Sequence, residues 1–286
     1  SVTEFRIHIG AHKTATTHFQ DSLSRAEPLL RTRGIGYIPR SEFRGKRILA
    51  QVHAASDQIA FSIFARITLE QLLERNKISA PRILISEEDI LGSSFSLMAG
   101  MYPQGVNRLR QWKELLGESS VTVFLSIRNY RDILPSAYSQ GVRDGALLPD
   151  FDHVLNYWKT ARPSWCELIQ RIQTEFAHAR LVVWSFEKYI QNPDVVINKF
   201  VGCNLGGIDV ASGDQNSRMT LEAIQEARRV RSDLNLSERR REIERIVKDK
   251  KGRYFDPLSP VDKATLNEWY LQDCAKINNS GIQCIF

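Results

Sequence analysis

Seven residues, Ala11-His12-Lys13-Thr14-Ala15-Thr16-Thr17, separate an apolar run, Phe5 to Gly10, from a segment of helical periodicity. Their types suit an anion. Where a strand feeds straight into a helix, the first backbone N–H groups lack intrahelical partners and stand at the positive end of the helix dipole. Phosphate or sulfate fits there. Lys13 adds a mobile charge, and Thr14, Thr16 and Thr17 add hydroxyl donors. The triphosphate pattern G-x-x-x-x-G-K-[ST] is not met, because His12 precedes Lys13 and Gly10 stands too near it.

Three further stretches carry groups that could work with this loop. Ser120 to Ile127 is rich in β-branched residues and predicts a buried strand; it ends at Arg128, with Ser136 eight residues on in the following helix. A guanidinium fork matches phosphate oxygens, and a hydroxyl fills a remaining position. Near the C-terminus, Lys250-Lys251-Gly252-Arg253 precedes Ser259, Pro260 and Asp262, a helix-start signature, after which Leu266, Trp269, Tyr270 and Ile277 keep helical spacing. Between the phosphate stretches, Pro81 to Ser86 predicts a strand that ends in Glu87, Glu88 and Asp89. Mutual repulsion and partial burial raise a carboxylate's pKa toward the range of a general base.

The order His12-Lys13-Thr14-Ala15-Thr16-Thr17 resembles the 5′-phosphosulfate loop of sulfotransferases that use 3′-phosphoadenosine 5′-phosphosulfate (PAPS), in their bacterial His-Lys-Thr form. Arg128 and Ser136 resemble that family's 3′-phosphate site, and Lys251-Gly252-Arg253 resembles the Lys-Gly-Arg loop of its glycosaminoglycan branch. The likeness runs from residue 5 to about 280, in family order. It implies a P-loop-like α/β fold of three layers, a central parallel sheet flanked by helices. It also implies PAPS as donor, with Lys13, Thr14, Ala15, Thr16, Thr17, Arg128, Ser136, Lys251, Gly252 and Arg253 binding it and no metal required. Lys13 would neutralise the bridging oxygen. Glu87 takes the place of the base, with Glu88 its near rival, and a saccharide or glycolipid is the acceptor favoured. Many relatives have glycine at Ala15, so no positive φ is expected there. Phe186 stands where relatives often have a tyrosine against the adenine.

The remaining chain must position these groups. Phe19, Leu23, Ala26 and Leu30 share a helical face before Gly34, residues 41–79 read as mostly helical, and strands are expected at 82–86, 121–127 and 180–185. Strands separated by helical crossovers imply a parallel sheet with ligand loops at its carboxyl edge. With 286 residues and 42% hydrophobic content, one domain spanning 1–286 can bury a large core. Insertions near 41–79, 92–107 and 141–164 are expected to wall the acceptor cleft. His12 and His18 flank the anion loop, where a structural role is expected, and His53 is a further candidate base.

No apolar run reaches the ~18 residues of a membrane span, and the first strand starts too early for a signal peptide. The four dispersed cysteines form no C-x-x-C pair. A cytoplasmic enzyme is expected. A net charge of +6 suits an anionic donor without implying nucleic-acid binding. The basic stretch from Arg239 to Lys251 carries a narrow stripe of Ile243, Ile246 and Val247; it predicts a helix packed on one side, with contact to an acidic glycan or a membrane surface left open. Two other readings stand beside the transferase: a P-loop small-molecule kinase, and a non-catalytic domain that binds a nucleotide or polyanion.

Overall fold

The computed structural model describes residues 3–44, 68–212 and 218–286. Six strands form one sheet: β1 (Glu4–His8), β2 (Ile35–Ile38), β3 (Arg82–Ser86), β4 (Ser120–Ile127), β5 (Arg180–Ser185) and β6 (Gln283–Ile285). Their order is β2-β3-β1-β4-β5-β6, and every pairing is parallel. The fold is therefore the expected α/β arrangement of a central parallel sheet flanked by helices.

Inner strands of such a sheet are covered on both faces, so their side chains alternate between two cores. Ile83, Ile85, Val123, Leu125, Leu181 and Val183 face one cluster; Leu84, Phe124, Val182 and Trp184 face the other. The second core is closed by α1 (Thr16–Thr32), through Phe19, Leu23, Ala26 and Leu30, and by α9 (Pro193–Val201). The first is closed mainly by α4 (Gly105–Leu116), α5 (Tyr130–Arg143), α7 (Trp165–Glu175) and α12 (Pro260–Asn279). Ser259 caps α12 by accepting the Asp262 N–H, with Pro260 at the first helical position, as the sequence leads one to expect.

The other labelled helices are α2 (Arg40–Arg44), α3 (Ser94–Met98), α6 (Phe151–Ala161), α8 (Phe186–Gln191), α10 (Leu221–Ala227) and α11 (Leu236–Asp249), with a 3₁₀ turn at Glu88–Ile90. Of the 41–79 stretch, residues 41–44 and 68–75 are helical while 76–79 are not; most of the rest, His53 included, lies outside the described residues. Among the described residues no helix is long and apolar enough to cross a membrane.

Topology places the site. From β1 the chain runs to β2 and β3 on one side, and from β4 to β5 and β6 on the other. The connections thus part company between β1 and β4, where a crevice opens at the strands' carboxyl ends. The loops holding Lys13 and Arg128 both leave the sheet there.

Candidate active site

The anion loop is stitched to β4 beyond the end of β1. Ile9 N donates to Phe124 O (3.0 Å), Ala11 N to Ser126 O (2.9 Å) and Ser126 N to Gly10 O (2.6 Å). Gly10 has φ +113°, and a Cβ there would sit 3.3 Å from the Glu88 Cβ, so this residue must be glycine for the carboxylate turn to approach. Thr14 Oγ1 donates to Ala11 O (2.7 Å) and lies 2.6 Å from Ser126 Oγ. Its hydroxyl therefore holds the loop's shape, and the side chain is buried. Beneath it, the His8 imidazole joins Ser86 Oγ (2.8 Å) to Ser126 Oγ (2.9 Å) and stacks on Trp184. Burial pushes the His8 pKa down to about 3, so the ring is neutral.

The expectation for Ala15 is overturned. It adopts the left-handed conformation, φ 64° and ψ 31°, as the N-cap of α1, and Lys13 has φ 63°. Anchors on both sides, Thr14 to Ala11 and Ser126 before it and Phe19 N to Ala15 O (3.0 Å) after it, impose a geometry that the residue itself disfavours. Ala15 offers no side-chain cap. The first N–H groups of α1 are left for something else to satisfy.

Cations gather on the β4 side. Arg128 NH1 donates to Lys13 O (2.8 Å), which ties the two predicted phosphate residues together, and its guanidinium lies 4.1 Å above the Phe186 ring. The ring thus serves as a platform for the cation. Arg128 Nε is buried without a partner. Asp132, four residues after Arg128, lies 3.5 Å from Arg131 and 3.8 Å from Arg218. Lys13 Nζ reaches Gln140 Oε1 at 3.4 Å, and no carboxylate among the described residues pairs with it. Burial lowers its pKa to about 8, and Arg128, Arg143 and Arg218 push the same way against Asp144. Ser136 is buried on α5.

Carboxylates gather on the β3 side, and each is already occupied. Arg44 donates Nε to Glu87 Oε2 (3.0 Å) and NH2 to Glu87 Oε1 (2.6 Å) and Glu88 Oε1 (3.0 Å), with Asp89 at 3.4 Å. These three acids are close enough to share a metal ion, with ligand atoms within 4.8 Å of one another, but the guanidinium lies among them. Glu87 is fully buried and accepts the Asp89 N–H as cap of the 3₁₀ turn. Burial, with Glu88 and Asp89 beside it, raises its pKa against the opposing pull of Arg44. For Glu88, burial is outweighed by His12, Arg44 and a bond from Gln20 Nε2 (2.9 Å), which hold the carboxyl low.

His12 is locked by its neighbours. Tyr102 Oη accepts the His12 backbone N–H (2.9 Å) and lies 2.8 Å from Nδ1, while Nε2 is 3.0 Å from Asp89 Oδ1. The Asp89 carboxylate accepts, so Nε2 carries a proton and donates to it. His18 is likewise structural: its Nε2–H donates to Ala211 O (2.6 Å) and Nδ1 meets Tyr189 Oη (2.7 Å).

Between the two groups lies a cleft of about 730 Å³. Lys13, Ala15, Thr16 and Thr17 line it, as do Glu88 and Asp89; Thr14, Glu87, Arg128 and Ser136 do not. Its far wall comes from Gln140, Arg143 and Asp144 and from Arg240 and Glu244 of α11, while the stripe of Ile243 and Ile246 packs inward. Ser93 and Ser94 of the 92–107 stretch also contribute. Lys251, Gly252 and Arg253 form an exposed turn outside the cleft lining, fastened by Leu221 N to Arg253 O (3.0 Å). Sequence reasoning missed Arg40, Arg44 and Arg218, which reach the site from distant stretches, and the His8–Ser126 network beneath the loop.

No protein-family model and no curated protein matches the chain. Among solved structures it is similar to a sulfotransferase from Alicyclobacillus acidocaldarius, with 14% sequence identity, a TM-score of 0.42, and coverage of 87% of this chain and 95% of that one.

Proposed function

We propose that the chain transfers a sulfuryl group from PAPS to a hydroxyl of a polar acceptor, a saccharide or glycolipid. The observation that carries this reading is a desolvated lysine, Lys13, bonded through its own carbonyl to Arg128, with no carboxylate in contact with either among the described residues. Asp144 acts on Lys13, and Asp132 and Glu187 on Arg128, without touching them, so a bound anion would relieve the burial of both cations.

In this reading the open N–H groups of α1 and the Thr16 and Thr17 hydroxyls hold the donor's 5′ end. Lys13 neutralises charge on the bridging oxygen as the sulfur–oxygen bond breaks. Arg128 and Ser136 face the 3′-phosphate, and the turn of Lys251, Gly252 and Arg253 closes over the nucleotide. The acceptor's proton passes to the Glu87 and Glu88 pair, which shares Arg44. Glu88 presents its carboxylate to the cleft, and Glu87, raised by burial, stands behind it. Ala15 is the one apolar residue among those described that line the cleft, which suits a polyhydroxylated acceptor better than a flat apolar one.

Titration calorimetry with 3′-phosphoadenosine 5′-phosphate (PAP) against ATP plus Mg²⁺ tests the reading. PAP is expected to bind at least tenfold more tightly, about 1.4 kcal/mol. Preference for ATP would favour the kinase alternative and remove this one. Turnover then separates an enzyme from a mere binder: incubation with PAPS and mixed glycans should yield a product heavier by one SO₃.

A further inference from the structure

One cation beside Lys13 and Arg128 belongs to no motif. Arg218 donates NH1 to Phe255 O (3.3 Å) and NH2 to Asp132 O (3.1 Å). Phe255 follows the Lys251-Gly252-Arg253 turn, which the antiparallel bridge of Thr220 with Tyr254 and the bond from Phe255 N to Met219 O (3.0 Å) hold in place. Asp132 lies in the first turn of α5, four residues after Arg128 and four before Ser136. The Arg218 head group is thus wedged between the basic turn and the helix start that carries the other two candidate phosphate ligands.

The manner of its fixing matters. Backbone carbonyls orient a guanidinium without cancelling its charge. The one carboxylate near it among the described residues, that of Asp132, stands at 3.8 Å and is shared with Arg131. The charge of Arg218 reaches both neighbours and lowers the proton affinity of Lys13 and of Arg128. Three mutually repelling cations are therefore held together by the backbone, an arrangement that an anion relieves. The side chains of Lys251 and Arg253, by contrast, are exposed.

We propose that Arg218 is a donor-specificity residue, the third cation beside Arg128 and Lys13, which selects an adenosine nucleotide that carries a 3′-phosphate over one that lacks it. The inference rests on the PAPS reading above and adds to it a residue that none of the phosphate motifs contains.

Calorimetry on the full chain with PAP and with 5′-AMP tests it, using wild type, Arg218→Gln and Arg218→Lys. Glutamine keeps a donor for the two carbonyls and removes the charge. Arg218→Gln is expected to weaken PAP about 10- to 100-fold, the scale of a charge-assisted hydrogen bond, and 5′-AMP less than about threefold. Arg218→Lys should recover part of the loss. If the glutamine variant melts early, the lysine variant carries the same test, with about a 3- to 10-fold loss for PAP expected from its missing fork. Equal weakening of the two nucleotides, or unchanged PAP binding, overturns the assignment of Arg218. A wild-type chain that binds PAP no better than 5′-AMP overturns the donor reading itself.

Discussion

The two flanks of the cleft are charged in opposite senses and finished to different degrees. On the β3 flank, Glu87, Glu88 and Asp89 meet Arg44, Gln20 and His12 at hydrogen-bonding distance, so each acid has its partner within the fold. On the β4 flank, Lys13 and Arg128 find only carbonyl and amide oxygens and an aromatic face among the described residues. A flank whose charges cancel within the fold calls for no outside anion, and a flank left incomplete is suited to receive one. In the proposed reaction the contrast would separate the donor from the acceptor within one crevice.

The sharpest way to break this division is to neutralise the paired flank alone. Glu88→Gln should lower turnover about 10²- to 10⁴-fold, the range for loss of a general base, and leave PAP affinity within about twofold. Steady-state kinetics beside calorimetry checks both; a parallel fall in affinity would show that the flanks are not independent. The open flank is probed by pH. Lys13 must be charged to hold an anion, and with a pKa of about 8 in the free protein it is charged below that value and neutral above it. Once the phosphates of PAP are fully ionised, above about pH 7, its affinity should hold and then fall by up to about tenfold per unit on rising well past 8. Lys13→Arg, which stays charged throughout, should remove the slope.

His8 lies under both flanks, bonded to Ser86 of β3 and Ser126 of β4, and gives the smallest effect. Its folded pKa of about 3 lies below the unfolded value of 6.5, so the unfolded chain takes up a proton that the folded chain refuses. Its contribution to stability is therefore full above pH 6.5 and declines as pH falls toward 3. His8→Asn should cost about 1–2 kcal/mol at pH 7 through imperfect bonds to the two serines. Melting curves of the variant should then lose less than those of wild type between pH 6.5 and 4. An equal loss would mean that His8 does not carry this part of the acid response.

What was legible in the sequence was local. Lys13 and Arg128 each stand where a strand gives way to a helix, and the residues that mark such a junction are neighbours in the chain. The helix begun at Ser259 is legible for the same reason. Ala15 misled because a residue's own preference says little about a turn that anchors on both sides enforce. Strand alignment puts Glu87 ahead of Glu88, yet Glu88 is the one that lines the cleft, because the 3₁₀ turn that follows β3 re-aims the acids after the strand's alternation has ended. Arg44 meets Glu87 from 43 residues away, and Arg218 meets Asp132 from 86, so no spacing rule could join them. β6 is three residues long and sits at the sheet's edge, too short for a periodic signal.

A residue bearing a Cβ resists the left-handed conformation by roughly 1–2 kcal/mol relative to the right-handed one. Ala15 holds it in the free protein, so that cost is already borne when the chain folds and is not charged against binding. In the proposed reaction an arriving anion would meet a turn already formed, with no cost of organising it set against its affinity.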